Sequence, residues 1–201
     1  MNPLPFVYLA SQSPRRQQLL TQIGVPFEVL LPQDVEAAEE LERVLPGETP
    51  LAYVQRVTLL KLQHAKTECT RLAWPAHPIL CADTTVALGA LILGKPQHAE
   101  EAKDMLQRLS GQTHQVFTAI AIAHGRKTLR ALSRSKVRFD TLSAQEIEAY
   151  VASQEPMGKA GAYGIQGLAS GFIRSIQGSY SGIMGLPLFE TTRLLRKVAE
   201  G

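Results

Sequence analysis

Apolar residues along the 201-residue chain recur with two periods, and the alternation between these periods separates strands from helices. Runs of β-branched and aliphatic residues predict strands at 6–10, 27–31, 115–124, 128–139 and 172–176. Apolar stripes with helical spacing predict helices at 50–66, 97–109 and 188–199, and one more between Ser13 and Gly24. Ser143 and Glu146 form a capping-box pattern that opens a further helix reaching about Ser153, and residues 178–182 are expected to form a turn.

The stretch 80–96 places one carboxylate, Asp83, and one ammonium, Lys95, among short apolar runs. The runs are broken at Gly89 and Gly94, which predicts buried strands joined by a turn, with Asp83 at a strand end. Asp83 is therefore either a residue that caps the turn or part of a site for an anionic ligand. Residues 89–95 match the phosphate-binding P-loop pattern except that Pro96 replaces the required hydroxyl residue, so we reject a P-loop.

Two further places carry cations near predicted element ends. Strand 6–10 runs directly into the helix that begins at Pro14, and Ser11, Ser13, Arg15 and Arg16 lie at that junction. The junction is either a polyphosphate cradle or an ordinary capped helix with two solvated arginines. Lys61 falls within the apolar stripe of helix 50–66, so its ammonium either reaches out to water or points at an anion in a cleft.

An acidic loop follows the second strand, and most of its carboxylates are expected to face solvent. Asp34 or Glu36 is the candidate to face a cleft and bind a divalent cation. The glycine-rich segment 155–167 allows close backbone approach to a flat ligand, and Gln166 offers a donor and an acceptor suited to reading a base edge.

Composition limits the classes of partner. The chain has enough apolar residues for one domain or two small lobes, and its net charge of +3 is mild. The even spread of charge and the few aromatic residues argue against nucleic-acid binding, although the sequence pI is about 8.9. No apolar run approaches the roughly 20 residues of a membrane span, and no signal peptide is recognised. Cys69 and Cys81 are typical of reduced thiols in a cytoplasmic protein.

Six motifs occur in order between about residue 7 and residue 195: SQSPRR from Ser11, ADT from Ala82, LGKP from Leu93, LSGQTH from Leu109, KAGAYGIQG from Lys159 and GLP from Gly185. Together they resemble the Maf family of nucleoside triphosphate pyrophosphatases. The residues of the second and fifth motifs are similar to those of the branch that prefers dTTP and UTP.

The resemblance implies an α/β fold related to the inosine triphosphatases, with an elongated, curved mixed sheet, helices, and two lobes of one domain (1–201) flanking a central cleft. It implies hydrolysis of a nucleoside triphosphate to the monophosphate and pyrophosphate with Mg²⁺ or Mn²⁺, by a homodimer. By resemblance, Asp83 is the proton acceptor. The other roles carried over are selectivity for Arg15, Thr84 and Gln166, phosphate binding for Ser11, Arg16, Lys61 and Lys95, and metal binding for Glu36 and Asp83.

One departure from the family pattern leaves alternatives open. Gly158 stands where the family usually has an aspartate, which would weaken or retune activity if that aspartate orients Lys159 or a metal. The alternatives are a preference for 7-methyl-GTP or another purine nucleotide, and a weakly active nucleotide-sensing regulator of division.

Overall fold

The computed structural model of the chain describes residues 3–33 and 40–200. Within these residues seven strands form one mixed sheet in the order β2-β1-β3-β5-β6-β7, with β4 paired to β3. The strands are β1 (Val7–Leu9), β2 (Phe27–Val29), β3 (Ile79–Leu88), β4 (Leu91–Leu93), β5 (Thr113–His124), β6 (Lys127–Phe139) and β7 (Ile173–Gln177).

Six α-helices are interleaved with these strands in the described part of the chain. They are α1 (Pro14–Gln22), α2 (Pro50–Arg71), α3 (Ala99–Leu109), α4 (Ala144–Ala152), α5 (Tyr180–Met184) and α6 (Leu188–Ala199). The predicted mixed α/β class is confirmed, and so is the capping box of α4. None of the helices described has both the length and the apolar character needed to span a bilayer.

Three local predictions are wrong. Residues 178–182 do not form a simple turn, because Ser179 accepts a hydrogen bond from the Gly182 N–H and caps the short helix α5. Helix α2 continues five residues beyond the predicted end, to Arg71. Asp83 lies in the middle of a ten-residue strand rather than at a strand end, because Asp83, Thr84 and Thr85 all pair with β5 and leave the strand unbroken.

Strand β3 occupies the centre of the sheet and joins its two kinds of pairing. It is parallel to β1 and antiparallel to both β4 and β5. Successive side chains of a strand point to opposite faces, so β3 contributes to two cores at once. Cys81 on one face packs with Leu62 and Ala65 of α2, whereas Ala82 on the other face packs with residues of α1 and α6.

The same alternation puts Asp83 on the face that α2 covers. The buried face of α2 carries Val57 one turn before Lys61, Val54 two turns before it, and Ala65 one turn after it. Lys61 therefore points from α2 toward the centre of β3, where it contacts Asp83.

The segment between α4 and β7 returns to β3 and β4. Gly161 donates its N–H to the carbonyl of Gly94, at 3.0 Å, and its backbone has a φ of +69°. A Cβ on Gly161 would lie 2.8–3.0 Å from the side chain of Val86, so only glycine lets the segment lie directly on β3.

We predict that Gly161→Ala lowers the free energy of unfolding by about 2–4 kcal/mol, because the buried, β-branched Val86 cannot move aside. Gly158→Ala is a matched control, since Gly158 also has a φ of +69° but a Cβ there would meet nothing within 4 Å. The control should cost only the left-handed backbone conformation, about 1 kcal/mol. Urea unfolding of both variants checks the prediction, and equal losses would contradict it.

Candidate active site

One cavity of about 490 Å³ opens between α2, the end of β1, the centre of β3 and the segment after α4. Its volume is in the range of pockets that hold small-molecule ligands. Within the described residues, every predicted site residue lines this cavity: Ser11, Arg15, Arg16, Lys61, Asp83, Thr84, Lys95 and Gln166. The remaining prediction, Glu36, lies outside the described residues, as does Asp34.

An ion pair between Lys61 and Asp83 lies at the floor of the cavity. The Lys61 Nζ donates to Asp83 Oδ1 at 2.6 Å, and the Asp83 side chain is only 9% exposed. Of the two orientations considered for Lys61, the ammonium takes the one that points into the cleft. The second oxygen of Asp83, Oδ2, has no hydrogen-bond partner among the residues described, so it can accept a hydrogen bond from a ligand or a water molecule.

Glu42 extends this ion pair into a chain of four charges. Its carboxylate lies 2.7 Å from the Lys61 Nζ and 2.8 Å from the Lys95 Nζ. Burial would raise the pKa of Glu42, but the two ammonium groups outweigh it and lower that pKa. Burial would likewise lower the pKa of Lys61, but Asp83 and Glu42 outweigh it and raise that pKa. Both side chains therefore stay charged at neutral pH.

Arg16 is held in the cleft by three contacts, two of which come from distant parts of the chain. Its Nε donates to the carbonyl of Gly185 at 2.8 Å, and its two terminal nitrogens lie 3.1 Å from Ser11 Oγ and 3.4 Å from Thr84 Oγ1. Burial lowers the pKa of Arg16, and Asp83 opposes that shift. A guanidinium fixed in this way presents its charge to a ligand with little loss of side-chain entropy on binding.

The hydroxyl of Thr118 completes the support of Arg16. Thr118 Oγ1 donates to the carbonyl of Gly182 at 2.7 Å and lies 3.0 Å from Thr84 Oγ1. Because Thr118 has only one hydroxyl proton, Thr84 must donate in the second contact and accept from Arg16 in the first. The hydroxyls thus form a directed relay from Arg16 through Thr84 and Thr118 to α5.

The start of α1 offers few free backbone donors. Pro14 has no N–H, the amide of Ser13 donates to Ser11 Oγ at 3.2 Å, and the amide of Arg16 donates to the Ser13 carbonyl at 3.2 Å. Of the two interpretations of this junction, a cradle of backbone amides is therefore not favoured. The polar groups that this junction presents to the cavity are the side chains of Arg15, Arg16 and Ser11.

Cations predominate in the cleft. Among the described residues that line it, five are cationic (Arg15, Arg16, Lys61, Lys95 and Lys159) and three are acidic (Glu42, Glu68 and Asp83). The pKa of Arg15 is lowered by burial, and that of Lys159 by burial and by Arg15. Such a cleft attracts a ligand that carries several negative charges.

The structure shows how Lys159 is held although Gly158 replaces the usual aspartate of the family. The Lys159 ammonium donates to the backbone carbonyl of Glu155, so a side chain at position 158 is not needed to hold it. Gln166 is exposed and lines the cavity a few residues further on. Between Lys159 and Gln166 in the sequence lies Tyr163, whose hydroxyl is 2.8 Å from Nε2 of His114. Burial lowers the pKa of His114 to about 4, so the imidazole is neutral at pH 7.

Sequence reasoning missed Glu42 and Thr118. Glu42 belongs to the acidic loop that was expected to be mostly solvated, and only its position in three dimensions separates it from the other acids. Thr118 lies within an apolar strand, where a threonine carries no sequence signal for a role in a site.

This arrangement is that of a cleft in which cationic side chains predominate around one buried carboxylate. The chain belongs to the Maf family: the family model described as Maf-like protein matches residues 6–198. Near full-length relatives named dTTP/UTP pyrophosphatase have similar sequences. That of Polaromonas sp. is 58% identical over 191 residues, covering 95% of each chain. That of Ralstonia nicotianae is 57% identical over 198 residues, covering 98% of this chain and 96% of the relative.

Among solved structures, the Ham1 protein of Staphylococcus aureus is similar, with a TM-score of 0.40 and 13% identity. The match covers 67% of this chain and 71% of that one.

We predict that Thr118→Val lowers the free energy of unfolding by about 1–2 kcal/mol, because a buried hydroxyl that serves two partners is lost. Thr85→Val is the matched control, since Thr85 is also buried in the sheet but its Oγ1 has no partner within the described structure. The control should be neutral or slightly stabilising. Denaturant unfolding of the two variants decides, and a Thr118→Val protein as stable as the wild type would show that the relay is not formed.

Proposed function

We propose that this protein hydrolyses dTTP and UTP between the α- and β-phosphates, releasing the nucleoside monophosphate and pyrophosphate. The observation that carries the proposal is the convergence of Lys61, Lys95 and Arg16 on the cleft beside Asp83. The relatives named dTTP/UTP pyrophosphatase, at 56–58% identity over nearly the whole chain, support the same reaction and substrates.

Asp83 is assigned as the general base. In the proposed step, its carboxylate accepts a proton from a water molecule, whose oxygen attacks the α-phosphorus while the bond to the bridging oxygen breaks. Pyrophosphate leaves in line with the attack. Hydrolysis of this kind needs little covalent chemistry from the protein, so positioning and charge neutralisation contribute most.

Lys61, Lys95 and Arg16 are assigned to the phosphates. In the structure, Lys61 pairs with Glu42 and Asp83, and Lys95 pairs with Glu42. A triphosphate carries more negative charge than one carboxylate, so it competes with Glu42 for these ammonium groups. Ser11 supports the assignment of Arg16, because its hydroxyl accepts from that guanidinium and keeps its own proton for a phosphate oxygen.

A divalent cation, Mg²⁺ or Mn²⁺, fits the donors that the cleft offers. Asp83 and Glu42 present carboxylate oxygens within reach of the same Lys61 ammonium. No group of three or more possible metal ligands occurs among the residues described. Asp83 and Glu42 would hold such a cation through carboxylate oxygens, the ligands that Mg²⁺ prefers. Such a cation neutralises phosphate charge when bound. Glu36 stays a predicted further ligand.

The roles in base selection are proposed for Arg15, Thr84 and Gln166. Gln166 has both a donor and an acceptor for the edge of a pyrimidine, and it is exposed in the cleft. The hydroxyl of Thr84 is engaged in the relay to Arg16, so we assign its influence on selectivity to the position of that arginine.

The assembly and location of the protein remain predictions. We propose a homodimer in the cytoplasm, with two lobes of one domain around the cleft, that binds neither nucleic acid nor membranes.

A substrate panel tests the proposed function. Pyrophosphate release is measured with dTTP, UTP, CTP, dGTP, GTP and 7-methyl-GTP, each with Mg²⁺ and with Mn²⁺. We expect the highest kcat/KM for dTTP and UTP. A preference for 7-methyl-GTP, or no pyrophosphate from any nucleotide, would contradict the proposal.

We predict that Asp83→Asn lowers kcat for dTTP by about 10²–10⁴-fold, the usual contribution of a general base, while the nucleotide still binds. The control is Asp104→Asn, which removes an exposed carboxylate paired with Arg108 on the surface of α3. It should keep the wild-type rate. Steady-state kinetics and equilibrium binding of dTTP check both variants, and near wild-type turnover by Asp83→Asn would exclude Asp83 as the base.

A further inference from the structure

The segment that carries Gln166 has no strand and little helix of its own. Between α4 and β7 it forms only two short 3₁₀ turns, Ala160–Ala162 and Leu168–Phe172, yet it lines one side of the cleft. A side chain that reads a base edge must be held in place to be selective. The contacts that hold this segment therefore bear on substrate choice.

The carboxylate of Glu155 closes the segment into a loop. Its Oε2 accepts a hydrogen bond from the backbone N–H of Leu168 at 2.9 Å, and its Oε1 accepts from the hydroxyl of Tyr150 at 2.9 Å. Thirteen residues separate Glu155 from Leu168. One side chain thus joins the start of the loop to its end.

Tyr150 links Glu155 to Gly164, which precedes Gln166 in the sequence, whereas Leu168 follows it. Its hydroxyl donates to Glu155 and accepts from the backbone N–H of Gly164 at 3.3 Å. Burial, and then the hydrogen bond to Glu155, raise the pKa of Tyr150, so its proton stays in place at neutral pH. Residues 164–168 are consequently held at both ends by the same carboxylate.

Gly167 shows that the fit between this carboxylate and the loop is close. A Cβ at Gly167 would lie 2.3–2.5 Å from the carboxylate atoms of Glu155. The φ of Gly167 is −107°, which residues other than glycine adopt, so its backbone torsion does not demand glycine. The absence of a side chain at 167 is what lets Glu155 reach Leu168.

We propose that Glu155 is the positioning residue for base selection: by fixing residues 164–168 it places the Gln166 amide toward the nucleobase. This inference rests on the proposed function and adds a residue that acts through Gln166 rather than on the substrate. A glutamine at 155 has one carbonyl oxygen and one NH2 group in place of two carboxylate oxygens. Accepting from both Tyr150 and Leu168 through separate oxygens, as the carboxylate does, is therefore lost.

The first test is selectivity. We expect Glu155→Gln to lower the ratio of kcat/KM for dTTP to that for dGTP by at least tenfold, mainly through KM, with kcat for dTTP within about threefold of the wild type. Tyr150→Phe removes the hydrogen bonds to Glu155 and from Gly164 but keeps the one from Leu168 to Glu155, and it should change the ratio in the same direction. Glu148→Gln removes an exposed carboxylate from α4, the helix that carries Tyr150, and should leave the ratio unchanged. A wild-type ratio in Glu155→Gln, or equal losses for both nucleotides, would overturn the inference.

The second test does not depend on activity. Amide hydrogen exchange of the protein without nucleotide should be at least tenfold faster at Gly164 and Leu168 in Glu155→Gln, with unchanged exchange in β5. If the wild type fails to hydrolyse dTTP and UTP, the proposed function fails, and unchanged exchange in the variant would overturn the positioning role on its own.

Discussion

The buried contact between Asp83 and Lys61 is the interaction on which the rest of the site depends. It joins the central strand of the sheet to the long helix that covers it, at 2.6 Å and with the carboxylate almost fully buried. Removing two charges from water costs several kcal/mol, and their attraction often repays that cost incompletely. Hydrophobic residues at these positions would serve the fold as well. The ion pair is therefore best understood as part of the machinery that meets a polyanion.

The fold supplies supports for this pair from all along the chain. Strand β3 is parallel to β1. The Ser11–Arg16 junction that follows β1 therefore lines the same cleft as Asp83 of β3. The relay through Thr84 and Thr118 holds Arg16 against α5. On the far side, Glu155 closes the loop that carries Gln166. Arg16 and the loop that carries Gln166 thus depend on separate supports.

Much of this arrangement could be predicted from the sequence because local patterns carry it. Apolar periodicity identified the strands and, apart from α5 and the end of α2, the helices to within a few residues. The six motifs identified the family and most of the cleft residues, whereas Lys61 was singled out by its position in the apolar stripe of α2. The position of Asp83 within a strand could not be predicted, since polar residues in a buried strand resemble a turn. Glu42, Thr118 and Glu155 were missed because their roles depend on partners 19 to 64 residues away or on side-chain geometry. No local spacing records such contacts.

The double substitution Asp83→Val with Lys61→Met tests most directly whether the pair serves the ligand rather than the fold. Its free energy of unfolding in urea should equal that of the wild type within about 1 kcal/mol, or exceed it, because a hydrophobic pair replaces two desolvated charges. A loss of about 3 kcal/mol or more would contradict the account, since it would show that the ion pair is needed to hold β3 and α2 together.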